Sequence, residues 1–372
     1  MKEVQEIYLE LLKVAIWGGE LMREGVKELT NERVNDVIRL AAFQGTGPLV
    51  FDQLLKLKNV EIPATLRMQM KQQCMMSMMQ QSTMLPILAQ ACKALEDADI
   101  HPVLLKGFGL AQYYPQPHLR QWGDIDLYVG LQHYHTGCEV LRNVFPEAEH
   151  TEEELEEHKH YNFDFGNTIL EMHRISMAFA HPSDRKYYER LEDKYLTKDG
   201  LKIELEGVTI TVPEETFNVF FTFLHAWNHF FETGMNMKQV CDIAVLLHAK
   251  RDMINKERLK EMLTKLNLME VWQLMMHIIV NHLFLSQEEA PFYSEACKER
   301  AELLLERILK EGSSRQVDQV NADGASYLRR KLITLELRIV DCRMVRPYAP
   351  KYAQHMMIGT LLHGIERTIR LK

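Results

Sequence analysis

Two aspartates one residue apart, Asp124 and Asp126, lie in the apolar stretch Asp-Ile-Asp-Leu-Tyr-Val at positions 124–129. In extended chain alternate side chains share a face, so both carboxylates project together while Ile125 and Leu127 pack on the other side. Like charges at that spacing repel. The usual relief is a hard divalent cation with oxygen ligands, typically Mg²⁺, which can in turn clamp substrate phosphates. Taken alone, an Asp-x-Asp pair also describes an ordinary solvent-facing strand end, so the flanking residues decide what it means.

Upstream, Val103-Leu-Leu-Lys-Gly-Phe reads as a short strand turning at Lys106 and Gly107 into a helix-like segment, Phe108 to Tyr114. Backbone N–H groups at such a junction can receive a phosphate, and glycine permits the close approach. Lys106 either touches that phosphate or covers the domain surface. Arg120, four residues before Asp124, could hold a triphosphate with its fork, form a salt bridge to one aspartate, or do both. Trp122 could stack on a base or pack. Downstream, Gly166-Asn167 between two alternating segments marks a hairpin, and on its second arm Ile169, Glu171 and His173 share a face. His225 and His229 stand four apart on a helix, the spacing of metal-binding pairs, of hydrogen-bonded interfaces, and of two side chains facing a cleft. Asp242 could approach them from the next helix. Lys238, entering that helix, is the helical region's best candidate for a phosphate contact.

These residues resemble the nucleotidyltransferase superfamily that includes DNA polymerase beta, and within it the bacterial group of uncharacterised nucleotidyltransferases. Superfamily members carry a strand, a small-residue turn opening a helix, and an acidic pair inside an apolar strand; here these are Val103 to Leu105, Gly107, and Asp124 with Asp126. The group is similar in its Leu105-Lys106-Gly107 turn, in Arg120 ahead of the acidic strand, and in Glu171-x-His173. It also shares segments like Phe223-Leu-His-Ala-Trp-Asn-His-Phe and Cys241-Asp-Ile-Ala. The second small residue of the superfamily turn is Phe108 here, as in the Leu-Lys-Gly group. The resemblance covers Ile100 to Leu247.

The resemblance implies an Mg²⁺-dependent transfer of a nucleoside monophosphate from a nucleoside triphosphate to a hydroxyl acceptor. It implies two ions, with Mn²⁺ as a possible replacement, on Asp124, Asp126 and a third carboxylate, for which Glu171 is the candidate; the bland alternative is a solvent-facing strand glutamate. Lys106, Gly107, Arg120 and Lys238 are then the nucleotide-binding candidates, and His173, His225, His229 and Asp242 the cleft candidates. The acceptor, whether small molecule, sugar or protein, and the base are not legible. The alternative is a degenerate fold that binds a nucleotide or a partner protein without turnover.

Length and hydrophobic periodicity outline the scaffold around these groups. At 372 residues more than one core is expected. We expect an α+β protein: a nucleotidyltransferase-type mixed sheet core at 99–212, flanked by an all-α region at 1–98 and another at 213–372. Val4, Ile7, Leu11 and Val14 set a helical period, Thr30-Asn31 a helix start and Gly45–Pro48 a break. The methionine-rich run Met68, Met70, Met75, Met76, Met78, Met79 and Met84 is expected to be helix packing rather than a Cu(I) site. A last helix at Ala91–Ala98 leads into the first strand, and another is expected at Gln132–Val144. Leu201–Glu206 and Val208–Val212 predict a second hairpin, at the sheet edge or as a small flap, and Pro213 a helix start. Thr151–Glu157 reads as a solvated acidic helix face, Asn321–Gly324 as a loop and Arg343–Lys351 as a break. With 44 basic against 52 acidic residues, the net charge of −8 argues against extended nucleic acid as a partner. Six scattered cysteines imply neither disulfides nor zinc. No secretory start or membrane span is expected, so the expected location is the cytoplasm.

Overall fold

The structure is a computed structural model that describes residues 3–19, 29–58, 60–149, 160–205, 207–313 and 327–370. Before the first strand come α1 (Glu3–Trp17), α2 (Asn31–Phe43), α3 (Gly47–Lys56) and α4 (Ala64–Asp97). Thr30 is the cap of α2: its hydroxyl accepts the Arg33 N–H at 3.4 Å, satisfying a donor the first turn leaves open. The break at Gly45–Pro48 is the α2–α3 turn, with Gly45 at φ +66° and the proline in the first turn of α3.

Helix α4 corrects two expectations. It runs for 34 residues straight through Pro86, so Ala91–Ala98 is the end of a long helix rather than a short one of its own. Its methionines are mostly outside: Met70 and Met84 are buried, whereas Met68, Met75, Met76, Met78 and Met79 are between 46% and 70% exposed. The physical reason is phase. Over this stretch the buried residues are Met70, Ser77, Gln81 and Met84, a single narrow stripe, and a methionine off that stripe faces solvent.

Strands β1 (Val103–Leu105), β2 (Asp124–Tyr128), β3 (His160–Asp164), β4 (Ile169–His173), β5 (Leu201–Leu205) and β6 (Val208–Val212) form one sheet in the order β3-β4-β2-β1-β6-β5. β2 runs parallel to β4 and β1 to β6, while the other neighbours are antiparallel, so the sheet is mixed and the fold α+β. Gly166 at φ +81° turns the β3–β4 hairpin, and Gly207 at φ +84° turns the β5–β6 hairpin, which places β5 at the edge. The short helix α5 (Gly107–Ala111) follows β1. The acidic run Thr151–Glu157 and the expected loop Asn321–Gly324 lie outside the described residues.

The two faces of the sheet bury different partners. On one, Leu104, Ile125, Leu127, Leu170 and Met172 pack against Tyr134, Cys138 and Leu141 of α6 (Gly130–Val144) and against Leu88, Ala91 and Leu95 of α4. On the other, Val103, Leu105 and Tyr128 join the core of a helical body. That body includes α8 (Glu215–Phe231), α9 (Met237–Lys250), α10 (Lys256–Lys265), α11 (Met269–His282) and α12 (Lys298–Glu311). Helix α8 starts at Glu215, not at Pro213: Glu214 caps it by accepting the Phe217 N–H at 3.0 Å, which places its negative charge at the positive end of the helix. α9 opens with a reciprocal capping box between Asn236 and Gln239. The chain closes with α13 (Tyr327–Val345) and α14 (Pro350–Arg370), separated at the expected break.

Helix α7 (Pro182–Glu192), not foreseen in the sequence, ends on a buried carboxyl with a pH consequence. Glu192 accepts the Ser176 N–H and hydroxyl, both at 2.6 Å, and burial pushes its pKa from the ordinary 4.5 up to about 7 despite those bonds. Between those values the native chain holds a proton that the unfolded chain has released. Stability from this group is therefore full below about pH 4.5 and declines as pH rises towards 7, by about 3 kcal/mol in all. Urea melts across that range should show the decline in the parent and a flatter profile in Glu192→Gln.

Candidate active site

The parallel pairing of β2 with β4 sets Asp126 beside Glu171 and Tyr128 beside His173. Ligand oxygens of Asp124, Asp126 and Glu171 all lie within 4.8 Å of one another. Hydrophobic alternation explains why: Ile125, Leu127, Leu170 and Met172 are buried on the opposite face, which forces the acids onto the face turned to the helical body.

Asp126 is 1% exposed. Its Oδ1 receives the Lys106 ammonium at 2.7 Å and His173 Nε2 at 2.8 Å. Burial alone would raise this carboxyl, but the ammonium and the imidazole hold it well below the usual carboxylate range. His173 Nε2 also lies 3.2 Å from Glu171 Oε2, so its N–H bridges the two acids. Burial opposes ionisation of Glu171 too, and the His173 hydrogen bond together with the nearby His173 and His160 imidazoles outweighs it and lowers the pKa. Asp124 behaves oppositely: repulsion from Asp126, then burial, raise its pKa. Asp126 Oδ2 is buried and makes no hydrogen bond. An unpartnered carboxylate oxygen beside an electrostatically strained Asp124 and a third acid is an all-oxygen donor set that fits a hard divalent cation.

The Lys106–Gly107 turn has both residues at positive φ, +52° and +28°. A Cβ at 107 would stand 3.3 Å from the Asp124 carbonyl oxygen, so glycine lets β1 end tight against β2. Lys106 neither covers the surface nor stands free for phosphate: it is ion-paired to Asp126. Phe108, at the superfamily's small-residue position, points into the core, fully buried with its ring 4.2 Å from that of Trp122. Trp122 therefore packs.

Arg120 makes a salt bridge to an aspartate, but to one on α9 rather than to either strand aspartate. It is 4% exposed and makes a two-pronged pair with Asp242 on α9, Nε to Oδ1 at 2.8 Å and Nη2 to Oδ2 at 2.7 Å. Tyr114 also donates to Asp242 Oδ1 at 2.7 Å. Asp242 is thus engaged by Arg120 and Tyr114 rather than by the histidine pair. The reason is burial: a charged fork this enclosed needs a carboxylate of matching geometry, which a strand aspartate already held by Lys106 does not offer. Lys238, one turn earlier on α9, is a second cation within electrostatic reach of Asp124, beside Lys106. Burial, then the nearby Arg120, lower its pKa, against pulls from Asp242 and Asp124.

His225 and His229 meet each other, Nε2 to Nε2 at 2.9 Å, and His229 Nδ1 bonds to the Thr233 hydroxyl at 3.0 Å. Among the described residues, the three-ligand groups able to hold a metal do not include them. Two residues near the site escaped the sequence reading. His160 pairs with His173 across the β3–β4 hairpin and stands 3.8 Å from Glu171; counting back from the Gly166-Asn167 turn would have found it. Tyr114 carried no signal.

A family model described as "Uncharacterised nucleotidyltransferase" matches residues 30–284. No curated protein matches the chain. Among solved structures, the crystal structure of an antigenic nucleotidyltransferase-like protein from Paracoccidioides brasiliensis aligns at 14% identity over 57% of this chain and 94% of that one. Its TM-score of 0.35 is too low to carry over any residue role. The family match spans well over half of the sequence, and the chain belongs to the uncharacterised nucleotidyltransferase family.

Proposed function

We propose that the protein transfers a nucleoside monophosphate from a nucleoside triphosphate to a hydroxyl acceptor at the Asp124, Asp126 and Glu171 trio. The acceptor oxygen would attack the α-phosphorus in line, forming the new P–O bond as the bond to pyrophosphate breaks. The observation that carries this reading is the buried, unpartnered Asp126 Oδ2 among three convergent carboxylates. Two Mg²⁺ ions, or Mn²⁺ in their place, would be held by these three acids; when bound, they neutralise phosphate charge and lower the pKa of the acceptor hydroxyl.

The chain's own residues supply the rest. His173 locks Asp126 and Glu171 at a fixed spacing through one bridging N–H. Lys238 presents a partly desolvated ammonium to the anionic tail. Catalysis of this kind is mostly positioning and charge neutralisation, for which a rigid strand pair is well suited. Six free thiols fit a reducing compartment, and we place the reaction in the cytoplasm. Among the described residues no helix is long and apolar enough to cross a membrane.

One observation favours a second reading. The Lys106 ammonium already sits on Asp126 Oδ1, so the site is partly neutralised from within, as a module that binds nucleotide without turnover would tolerate. The full chain, incubated with each α-labelled nucleoside triphosphate, Mg²⁺ or Mn²⁺, and cell extract, should move label into one acceptor fraction and release pyrophosphate. Calorimetric binding without label transfer would instead select the binding module, and neither binding nor transfer would remove both readings.

A further inference from the structure

A second group of metal-ligand side chains lies apart from the carboxylate trio, where the last helix crosses α7. His181, Asp184 and His355 bring one ligand atom each within 4.8 Å of one another. Asp184, 5% exposed, offers a different oxygen to each imidazole: Oδ2 to His355 Nε2 at 2.6 Å and Oδ1 towards His181 Nδ1 at 3.7 Å. The two rings stack, with centroids 4.6 Å apart and planes 12° from parallel.

We propose that His181, Asp184 and His355 form a binding site for a transition-metal dication of the Zn²⁺ class. Two nitrogens and one carboxylate oxygen suit such an ion better than Mg²⁺, whose preference is for oxygen alone. His355 Nδ1 accepts from Asn267 Nδ2 at 3.2 Å; with Nε2 on a metal, Nδ1 carries the proton, and a turn of the Asn267 amide would present its oxygen as the outer acceptor. His181 Nδ1 caps α7, accepting the Ser183 N–H at 3.3 Å and bonding the Ser183 hydroxyl at 2.8 Å; that hydroxyl has Asp184 Oδ1 3.2 Å away as a substitute acceptor, and a metal at this nitrogen would replace both bonds. Metal–nitrogen bonds of about 2.0–2.1 Å put ligand atoms roughly 3 Å apart, which ring rotations of about an ångström would achieve. All three side chains line a cavity of about 230 Å³, also walled by Trp227, Arg338 and Tyr352, which leaves room for a water or a small anion as fourth ligand. The bound ion would tie α14 to α7. Gly359 of α14 already lies so close to His181 that a Cβ there would be 2.8 Å from the His181 Cβ.

The test is a Co²⁺ and Zn²⁺ titration of the full chain with Mg²⁺ in excess to occupy hard-oxygen sites. One equivalent of Co²⁺ should give a visible d–d band that Zn²⁺ abolishes, and saturating Zn²⁺ should raise the Tm. His181→Gln and His355→Gln should weaken binding at least 100-fold, while His160→Gln, beside the carboxylate trio, should leave it intact. Asp184→Asn, which preserves side-chain volume, covers the case in which a histidine variant fails to fold, and should lose the band as well. The proposal is overturned if the parent binds neither ion, if the band survives in Asp184→Asn or His355→Gln, or if only His160→Gln removes it. In each of those cases the cluster is a carboxylate-bridged histidine pair and nothing more.

Discussion

Asp124→Asn is expected to reduce nucleotidyl transfer on the order of 10³-fold or more while the protein melts at or above the parent's temperature. The two halves of this expectation have separate causes. Asp124 is an acid whose charge is disfavoured in place: Asp126 repels it, burial adds to the penalty, and Lys106 relieves it only in part. An isosteric amide removes that repulsion and so leaves the fold no weaker. Yet it removes one of three oxygens on which the proposed cation, and hence the triphosphate, would depend. Asp126→Asn should behave differently. It strips the partner from a Lys106 ammonium that is 13% exposed, and breaking a buried pair costs about 3–5 kcal/mol, so inactivity there would be mixed with unfolding. The depressed Asp126 pKa makes the same point along the pH axis. Its stabilisation is full above the ordinary 3.8 and is lost as pH falls below it. Label transfer and thermal melts on both variants would check the contrast; an Asp124→Asn protein with parental activity would remove the carboxylate trio from the chemistry.

Period-two reasoning in the sequence reached this trio, because two apolar faces, Ile125 with Leu127 and Leu170 with Met172, leave only one side on which the acids can project. The mixed order of the sheet was implied by family likeness alone: nothing in the residues of β2 and β4 states that they run parallel, pairing residues 45 apart in sequence. Long-range partners were the least legible. Arg120 and Asp242 are 122 residues apart, and Asp242 looked like a partner of the histidines because helical spacing shows which residues share a face but not which face meets another helix. The exposed methionines of α4 carry the same lesson in reverse. Composition indicated an apolar helix, whereas burial depends on which stripe the neighbours cover.

Arg120→Ala is expected to destabilise the protein by about 3–5 kcal/mol, more than any exposed ion-pair deletion in the chain. The removed fork leaves Asp242, itself 4% exposed, without its paired cation, with the Tyr114 hydroxyl and the nearby Lys238 as its remaining support. In the parent, burial would favour losing the guanidinium proton, and the Asp242 carboxylate holds the pKa above its usual value instead. Arg120→Lys should recover only part of the loss, because a point charge cannot make both contacts at 2.8 and 2.7 Å. Arg120→Met with Asp242→Leu should recover more than either single change predicts, since no charge is then left stranded; the double-mutant cycle measures that coupling. The pair ties the segment leading into β2 to α9, and Lys238 sits on that helix one turn from Asp242. In the charge-free double variant the chemistry at the strand acids should persist with a raised KM for the triphosphate, because the helix carrying Lys238 has lost its polar tether. The opposite pattern, Arg120→Ala stable to heat and urea but inactive, would mean that the guanidinium leaves Asp242 to grip the triphosphate and that the buried pair is only its resting state.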